Sequence, residues 1–377
     1  MAARPFKRPD PDEDDDDARR EALSTSEDES PNRLVVGLDC RSMNLYRFLR
    51  VRFPRMPHGE LRRWIGEQLV RVNGTPVTDS RPLRFGDLVE VDAEVTRPVA
   101  RGTRALRPEV IHRDASLIAV AKPSGLATAG ERSARVPHLL GLLRRAAPDA
   151  PVKLVHRIDK SASGVVLFAL GTEAKRALQA EFAARRAVKD YVALVSGHVE
   201  DAPQRIDAPL TLRRGRIAKM VATPDRGKPA VTLVRGLLRF RGYTLVHARP
   251  VTGRTHQIRA HLRHLGHSLV GDALYDGEEQ LWLSRIKLDY RHARGERERP
   301  LLDRLALHAF RLRITSPATG EAVTCVAPLP RELRSALRQL QKAAGTRIVN
   351  DFDALLADPI GARAGGDPFC AIPVGSP

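Results

Sequence analysis

Cysteine is scarce in this chain. Three in 377 residues, Cys40, Cys325 and Cys370, stand without metal-ligand spacing, which excludes a zinc centre or a disulfide framework and leaves them as small apolar residues. Long apolar runs are also missing. No stretch reaches the length of a membrane span, and the N-terminus, with Asp14-Asp15-Asp16-Asp17, lacks the apolar core of a signal peptide, so no membrane partner and a cytoplasmic location are expected. No internal repeat is evident. What remains is ordinary for a globular protein: 42% hydrophobic residues and enough length for two domains with cores of their own.

Charge is the informative property. The formal net charge is +18, yet the first thirty residues carry eleven acids against five bases, so they hold −6 and the remainder holds +24. A surplus of that size points to a polyanion such as nucleic acid as partner, although a generally basic solvated surface would give the same composition. Arginine dominates the bases, and its planar fork suits phosphates and base edges better than a lysine point charge does.

In chain order, residues 1–33 are acidic, rich in Ser, Pro and Glu and poor in apolar residues, which reads as a disordered tail. Residues 34–93 read as a compact unit. Leu45, Phe48, Leu49 and Val51 form one helical stripe, and Leu61, Trp64, Ile65 and Leu69 a second, with Gly59 as the break between them. Three short strands follow, the first two joined by Asn73-Gly74. Residues 94–106 form a polar linker with Pro98 and Gly102. A larger domain spans 107–344, and 345–377, rich in Gly, Pro and Asp, reads as a flexible tail. Within the larger domain, strands are expected at 110–114, 117–121, 165–170, 189–197 and 305–312, with further β structure over 209–249. Helices are expected at 138–147, 173–185 and 332–342, and a loop turns into a helix over 250–262. A charged insertion, 278–300, interrupts the pattern.

The chain is organised around Val155-His156-Arg157-Ile158-Asp159-Lys160-Ser161-Ala162-Ser163-Gly164, which runs into the apolar segment 165–170. One carboxylate, Asp159, sits between a basic approach and a glycine that releases the chain into a buried strand. An Asp capping a turn through its own side chain would also fit beside Ser and Gly. Three further segments bear on it: Lys122-Pro123-Ser124-Gly125, the strand bearing Tyr191, and Gly253-Arg254-Thr255-His256-Gln257-Ile258-Arg259. In this order and spacing the four resemble the motifs of the RluA family of pseudouridine synthases, over about residues 108–330. The unit before them resembles the small RNA-binding module named after ribosomal protein S-four, with Arg47, Arg50, Arg52, Arg55, Arg62, Arg63 and Arg71 as its grip.

The resemblance implies an α+β fold: a mixed, mainly antiparallel sheet flanked by helices, preceded by a small α/β RNA-binding module. It implies an isomerase that turns uridine into pseudouridine, needing no cofactor and no metal, acting on RNA, most naturally 23S ribosomal RNA, as a monomer. Asp159 would be the single catalytic carboxylate, attacking the anomeric carbon or removing the sugar 2′ proton. Arg259 would be its ion-pair partner, keeping it charged in a partly dry pocket. Tyr191 would lie against the uracil and take the carbon-5 proton, directly or through water. Arg157 would hold the flipped-out nucleotide, and His156, Arg254, Thr255, His256 and Gln257 complete the expected substrate contacts. Tyr191 also fits a core aromatic, Arg259 a surface charge at a helix N-terminus and Arg157 a phosphate contact. His256, His261, His264 and His267 lack a carboxylate or Cys at a ligand spacing, so RNA contact or packing is expected of them rather than metal. The family usually has Thr where this chain has Ala162, and Leu where it has Ile158; the lost hydroxyl is expected to loosen the Asp159 loop. A non-catalytic RNA-binding or ribosome-assembly factor on the same fold, or an enzyme acting on transfer RNA, would share the charge pattern.

Overall fold

Short helical stripes and a hairpin signal decide the N-terminal unit. The computed structural model describes residues 33–36, 43–53, 56, 58–92, 109–130, 137–214, 218–224, 226–287, 290, 298–345, 349, 351–354, 356 and 367–369. The expected acidic tail, apart from Arg33, and the expected linker lie outside these residues, as do Cys40, Cys370 and Arg55. The chain forms two compact units, Met1–Gly102 and Thr103–Pro377.

In the first unit, β1 (Arg33–Val35) precedes α1 (Leu45–Arg52) and α2 (His58–Gly66), and β2 (Val70–Val72), β3 (Thr75–Pro76) and β4 (Leu88–Val91) follow. The strands form an antiparallel sheet in the order β1-β4-β2-β3. Asn44 caps α1 by accepting the Arg47 N–H at 2.8 Å. Leu45, Phe48, Leu49, Leu61, Trp64 and Ile65 are buried against Val70, Val72, Val89 and Val91. Gly59 does not separate the helices; it lies in the first turn of α2, where a glycine costs little, and Leu69 follows the helix rather than extending it. Arg47, Arg62, Arg63 and Arg71 are exposed.

The second unit is built on a ten-stranded sheet. Its strands are β5 (Glu109–Arg113), β6 (Leu117–Lys122), β7 (Val152–Leu154), β8 (Ser163–Leu170), β9 (Val188–Ser196), β10 (Gln204–Asp207), β13 (Val231–Phe240), β14 (Tyr243–Pro250), β15 (Leu307–Thr315) and β16 (Ala322–Val326); β11 (Leu210–Arg213) and β12 (Lys219–Ala222) form a separate hairpin. The order is β10-β13-β14-β9-β15-β8-β6-β5, with β16 beside β15 and β7 beside β8. Among the described strands only β8 and β15 run parallel, through Ser163↔His308 and Ala309↔Gly164. The sheet is therefore mixed and mainly antiparallel, as the motif resemblance implies.

Helices cover both faces: α3 (Leu139–Ala146), α4 (Thr172–Ala183), α5 (Gln257–His264), α6 (Leu283–Ile286) and α7 (Arg331–Ala344). Alternation along β9 shows the layering. Tyr191, Ala193 and Val195 face a core shared with Leu139, Leu143, Ile258 and Leu262 of α3 and α5. Val192 and Leu194 face the other way, toward Leu333, Leu337 and Leu340 of α7. On that second face Val165 and Leu167 of β8 meet Leu178 of α4. Burial on both sides is why β6 and β8 read as continuous apolar runs in the sequence.

Two backbone positions, one at the start of β8 and one in the turn before Asp272, require glycine. Gly164 has φ +121, and a Cβ there would overlap the Ala309 backbone of β15. Gly271, at φ +80, lies against the Arg304 and Leu305 backbone in the same way. The first lets β8 leave the Asp159 loop; the second turns the chain into Asp272.

The expectation of little fixed structure beyond residue 345 is corrected at several points. Phe352 and Leu356 are fully buried in the core under α7. Asp367 accepts a hydrogen bond from Arg249, and the Phe369 ring lies 4.8 Å from that of His247. Arg249, His247 and Arg311 converge on Asp190, a fully buried carboxylate beside Tyr191 in sequence. Burial opposes the charge of Asp190, but these partners outweigh it and hold its pKa far below the usual carboxylate range. Part of the charged insertion is packed as well, through Leu281 and Ile286.

Candidate active site

The Asp159 loop joins β7 to β8 and is fastened from beneath by the loop after β6. Lys122 ends β6 rather than lying in the loop, and its side chain is buried. Its ammonium donates to the carbonyls of Leu126 (2.7 Å), Ala162 (2.6 Å), Pro123 (3.0 Å) and Lys160 (3.1 Å). Burial, with Arg304 adding to it and Asp159 opposing, lowers the Lys122 pKa to about 7, while the four carbonyls favour the charged form. Ser124 Oγ donates to the Ser161 carbonyl at 2.6 Å, and the Gly125 N–H to that of Lys160 at 2.8 Å. Thr128 Oγ donates to the Ile158 carbonyl and accepts its N–H.

These bonds settle what Ala162 does. It is fully buried, its N–H donates to the Asp159 carbonyl at 3.1 Å, and its own carbonyl takes the Lys122 bond. The loop is held through backbone groups on both sides of Asp159, so the expected loosening from a missing Thr hydroxyl has no counterpart in the structure. Ile158 points into the core. Between these anchors the Asp159 side chain keeps 23% exposure, enough to meet a substrate.

Arg259, in the first turns of α5, reaches Asp159 with Nη1 at 3.4 Å from Oδ2. Its other nitrogens are taken by Asp272, Nε and Nη2 each donating at 2.7 Å. That fork fixes the guanidinium plane and leaves one edge for Asp159. The Tyr275 ring lies against it, its centroid 4.9 Å from Cζ. Burial works against the charge of Arg259, but Asp272 and then Asp159 hold its pKa above the ordinary value, so it remains a cation. Tyr191 is 8% exposed, and burial followed by the Asp159 charge raises its phenol pKa.

A partly exposed carboxylate and a clamped guanidinium thus meet just before β8, with the Tyr191 phenol of β9 close enough to feel the Asp159 charge. A model of the family described as RNA pseudouridylate synthase matches residues 116–264. The chain is 32% identical over 318 residues to Ribosomal large subunit pseudouridine synthase D of Haemophilus ducreyi, covering 81% of this chain and 93% of that protein. It is 31% identical over 330 residues to Ribosomal large subunit pseudouridine synthase C of Escherichia coli, covering 84% of this chain and 99% of that protein. The chain belongs to the RluA family of RNA pseudouridine synthases. A solved structure, Human RNA Pseudouridylate Synthase Domain Containing 1, is similar at 26% identity and a TM-score of 0.49, over 69% of this chain and 96% of that one.

The residues expected from sequence divide into those at least partly exposed around Asp159 and those fully engaged within the fold. Arg157 and Thr255 are exposed beside the site. Arg254 is half-buried, with Nε donating to the Pro229 carbonyl at 3.1 Å. His256 takes a left-handed conformation, φ 51, at the N-cap of α5, with Nδ1 3.2 Å from the Tyr275 hydroxyl.

Two expected substrate contacts are corrected. Gln257 is 4% exposed and its amide is fully engaged: it accepts from Thr252 Oγ and the Arg254 N–H and donates to the Val231 carbonyl and Thr232. It ties α5 to β13 because a buried amide must be satisfied within the fold. His156 Nε2 accepts the Leu167 N–H at 3.0 Å, and its ring stacks on Phe182 at 4.8 Å, so it supports β8 rather than facing substrate. His261 is likewise buried, between Thr232 and the Ala208 carbonyl.

Sequence reasoning missed Lys122 as an anchor, and it missed Asp272, Tyr275 and Thr128 altogether. A usable signal existed for two of these: Gly271-Asp272 with Tyr275 three residues on, at a turn following the α5 motif.

The neutral histidines that support the loop make a pH prediction. Burial lowers the pKa of His308, bonded to Ser163 and the Ala327 carbonyl, to about 4; burial, then Lys189, lowers that of His156 to about 3. The unfolded chain binds protons at both below its ordinary pKa of 6.5 while the folded chain does not, so folding stability falls as pH drops from 6.5. The loss should level off near 4 for His308 and near 3 for His156. Thermal unfolding across this range checks it. His308→Asn should flatten the slope between pH 6.5 and 4; an unchanged slope would show that another group carries it.

Proposed function

We propose that this enzyme isomerises uridine in large-subunit ribosomal RNA, in the cytoplasm, with Asp159 as the catalytic carboxylate, Arg259 as its fixed counter-ion and Tyr191 as the aromatic beside the uracil. The observation that carries this reading is the Arg259 fork: two of its nitrogens are taken by Asp272, and a third is directed to a carboxylate that stays partly exposed. An ion pair serving stability alone has no need to leave one member accessible. The names of the relatives supply the substrate class.

The reaction breaks the bond between C1′ and uracil N1 and forms one between C1′ and C5. The C5 proton leaves, N1 regains a proton, and no electrons are gained or lost. Asp159 either adds to C1′ or removes the 2′ proton, in both roles as a carboxylate, with Arg259 Nη1 3.4 Å from its Oδ2. Tyr191 enters as a neutral phenol, suited to stacking on the base and to passing a proton through its oxygen. Arg157, exposed beside Asp159, is suited to hold the phosphate of an everted nucleotide, since a base inside a stack cannot reach the carboxylate. The exposed arginines of α1 and α2 add sequence-independent grip on the RNA backbone.

Mapping pseudouridines in RNA from cells with and without this protein tests the substrate. One or more positions in 23S ribosomal RNA should revert to uridine without it and be restored by the wild-type chain. Loss confined to transfer RNA would move the substrate class, and no loss in either RNA would contradict the reading.

A further inference from the structure

Tyr275 touches more of the site than packing alone requires. Its side chain is fully buried in a small cluster of its own, with Leu210, Ala230 and Ala260 and, packed against them, Met220, Ala222 and Leu274. That cluster joins three things: the β11–β12 hairpin, through Leu210, Met220 and Ala222; the helix that carries Arg259, through Ala260; and the turn that carries Asp272, through Leu274 and Tyr275. The ring supports the Arg259 guanidinium. The hydroxyl accepts the Met220 N–H of β12 at 3.0 Å and lies 3.2 Å from His256 Nδ1. Lys219 closes the connection, donating to the Leu274 carbonyl at 3.3 Å with its ammonium 5.9 Å from the Tyr275 ring centroid.

Directly across the hairpin from Met220 and Lys219, strand β11 is solvated and basic. Leu212, at 47% exposure, Arg213 and Arg214 are all exposed, and neither arginine has an ion-pair partner among the described residues. For a protein that acts on RNA, a two-stranded ribbon carrying exposed arginines suits a phosphate contact. The strand paired with β11, namely β12, is bonded through Met220 to the residue on which the catalytic cation rests.

We propose that Tyr275 is a positioning residue that couples the β11–β12 hairpin to the Arg259–Asp159 pair, so that RNA held by the hairpin fixes Arg259 for the chemical step. The proposal rests on the catalytic reading of Asp159 and Arg259 given above. A force on the hairpin reaches Arg259 by two short paths, the Met220–Tyr275 hydrogen bond and the Lys219–Leu274 bond, with no flexible side chain between the Tyr275 ring and the guanidinium.

The test uses the full chain and transcribed 23S ribosomal RNA, with single-turnover tritium release at saturating enzyme for the rate and filter binding for Kd. Tyr275→Phe keeps the ring and removes the hydroxyl. It should lower the saturating rate about ten-fold while Kd stays within about two-fold. The pair Arg213→Ala with Arg214→Ala should raise Kd in either background, but lower the saturating rate only where Tyr275 is intact. Lys219→Met, a half-buried change at the edge of the cluster, should lower the saturating rate about three-fold with an unchanged unfolding midpoint, and it decides the matter if Tyr275→Phe does not fold. An unchanged saturating rate in Tyr275→Phe, or in Lys219→Met where it stands alone, overturns the proposal. So do rate losses that multiply when the hairpin and Tyr275 changes are combined. Asp159→Asn run alongside separates the two layers: if it stays active the catalytic reading falls, and if it is inactive while Tyr275→Phe is unaffected, only the coupling falls.

Discussion

Arg259→Met is expected to damage stability and catalysis together, by separable amounts. Asp272 has a side-chain exposure of 1% and gives both oxygens to Arg259. Removing the guanidinium leaves that carboxylate buried and unpaired, a change that costs about 3–5 kcal/mol in comparable buried pairs. Methionine keeps the apolar contact with Tyr275 and much of the volume, so the loss is electrostatic rather than a cavity. The catalytic loss adds to this, since Asp159 would face a partly dry pocket without its cation; the loss of one preorganised electrostatic partner costs about 10²–10³-fold in rate. Combining Arg259→Met with Asp272→Leu separates the two. The double variant should recover most of the unfolding midpoint, because both charges are gone, and recover none of the isomerisation rate. Recovery of activity with the midpoint would make Arg259 a purely structural residue.

How much of this was legible beforehand follows from where each residue's energy lies. Strands buried on both faces, β6 and β8, announce themselves as apolar runs, and the breakers at Gly125 and Gly164 mark where the chain must turn. The four motif segments were legible for the same reason: chemistry-bearing residues at the ends of such strands stand out against them. Short edge elements carry no such signal. β10 and β16, four and five residues long and half-exposed, had too little apolar periodicity to be read. The C-terminal segment looked featureless because Phe352, Leu356 and Phe369 are single apolar residues in a polar stretch, and only the core they enter shows their purpose.

The candidate site was legible as a set of positions, but the division of labour within it was not. His156 and Gln257 stand beside motif residues and carry polar groups, so they read as substrate contacts; in the fold those groups satisfy buried backbone and side-chain partners. Lys122 read as part of a loop because a lysine is seldom enclosed, yet its ammonium closes the β6 loop onto the Asp159 loop. Asp272 is 113 residues beyond Asp159 in the chain and acts only through Arg259. An acid of that kind has no local pattern that separates it from a surface aspartate.

Asp159→Asn carries the largest expected effect. The substitution is nearly isosteric, and none of the four loop anchors bonds the Asp159 side chain, since Lys122, Ser124, Gly125 and Thr128 all bind backbone atoms. Folding and RNA affinity should therefore be little changed. An amide, however, can neither add to the anomeric carbon nor take the 2′ proton, and the removal of such a group costs on the order of 10⁴-fold or more. The decisive measurement is tritium release from ribosomal RNA labelled at uracil C5, with wild-type and Asp159→Asn compared at saturating enzyme and RNA binding measured in parallel. The wild type should release tritium and form pseudouridine, while Asp159→Asn binds with about the same Kd and releases none above background. Release by Asp159→Asn at a rate near that of the wild type would contradict the assignment of this loop as the catalytic centre.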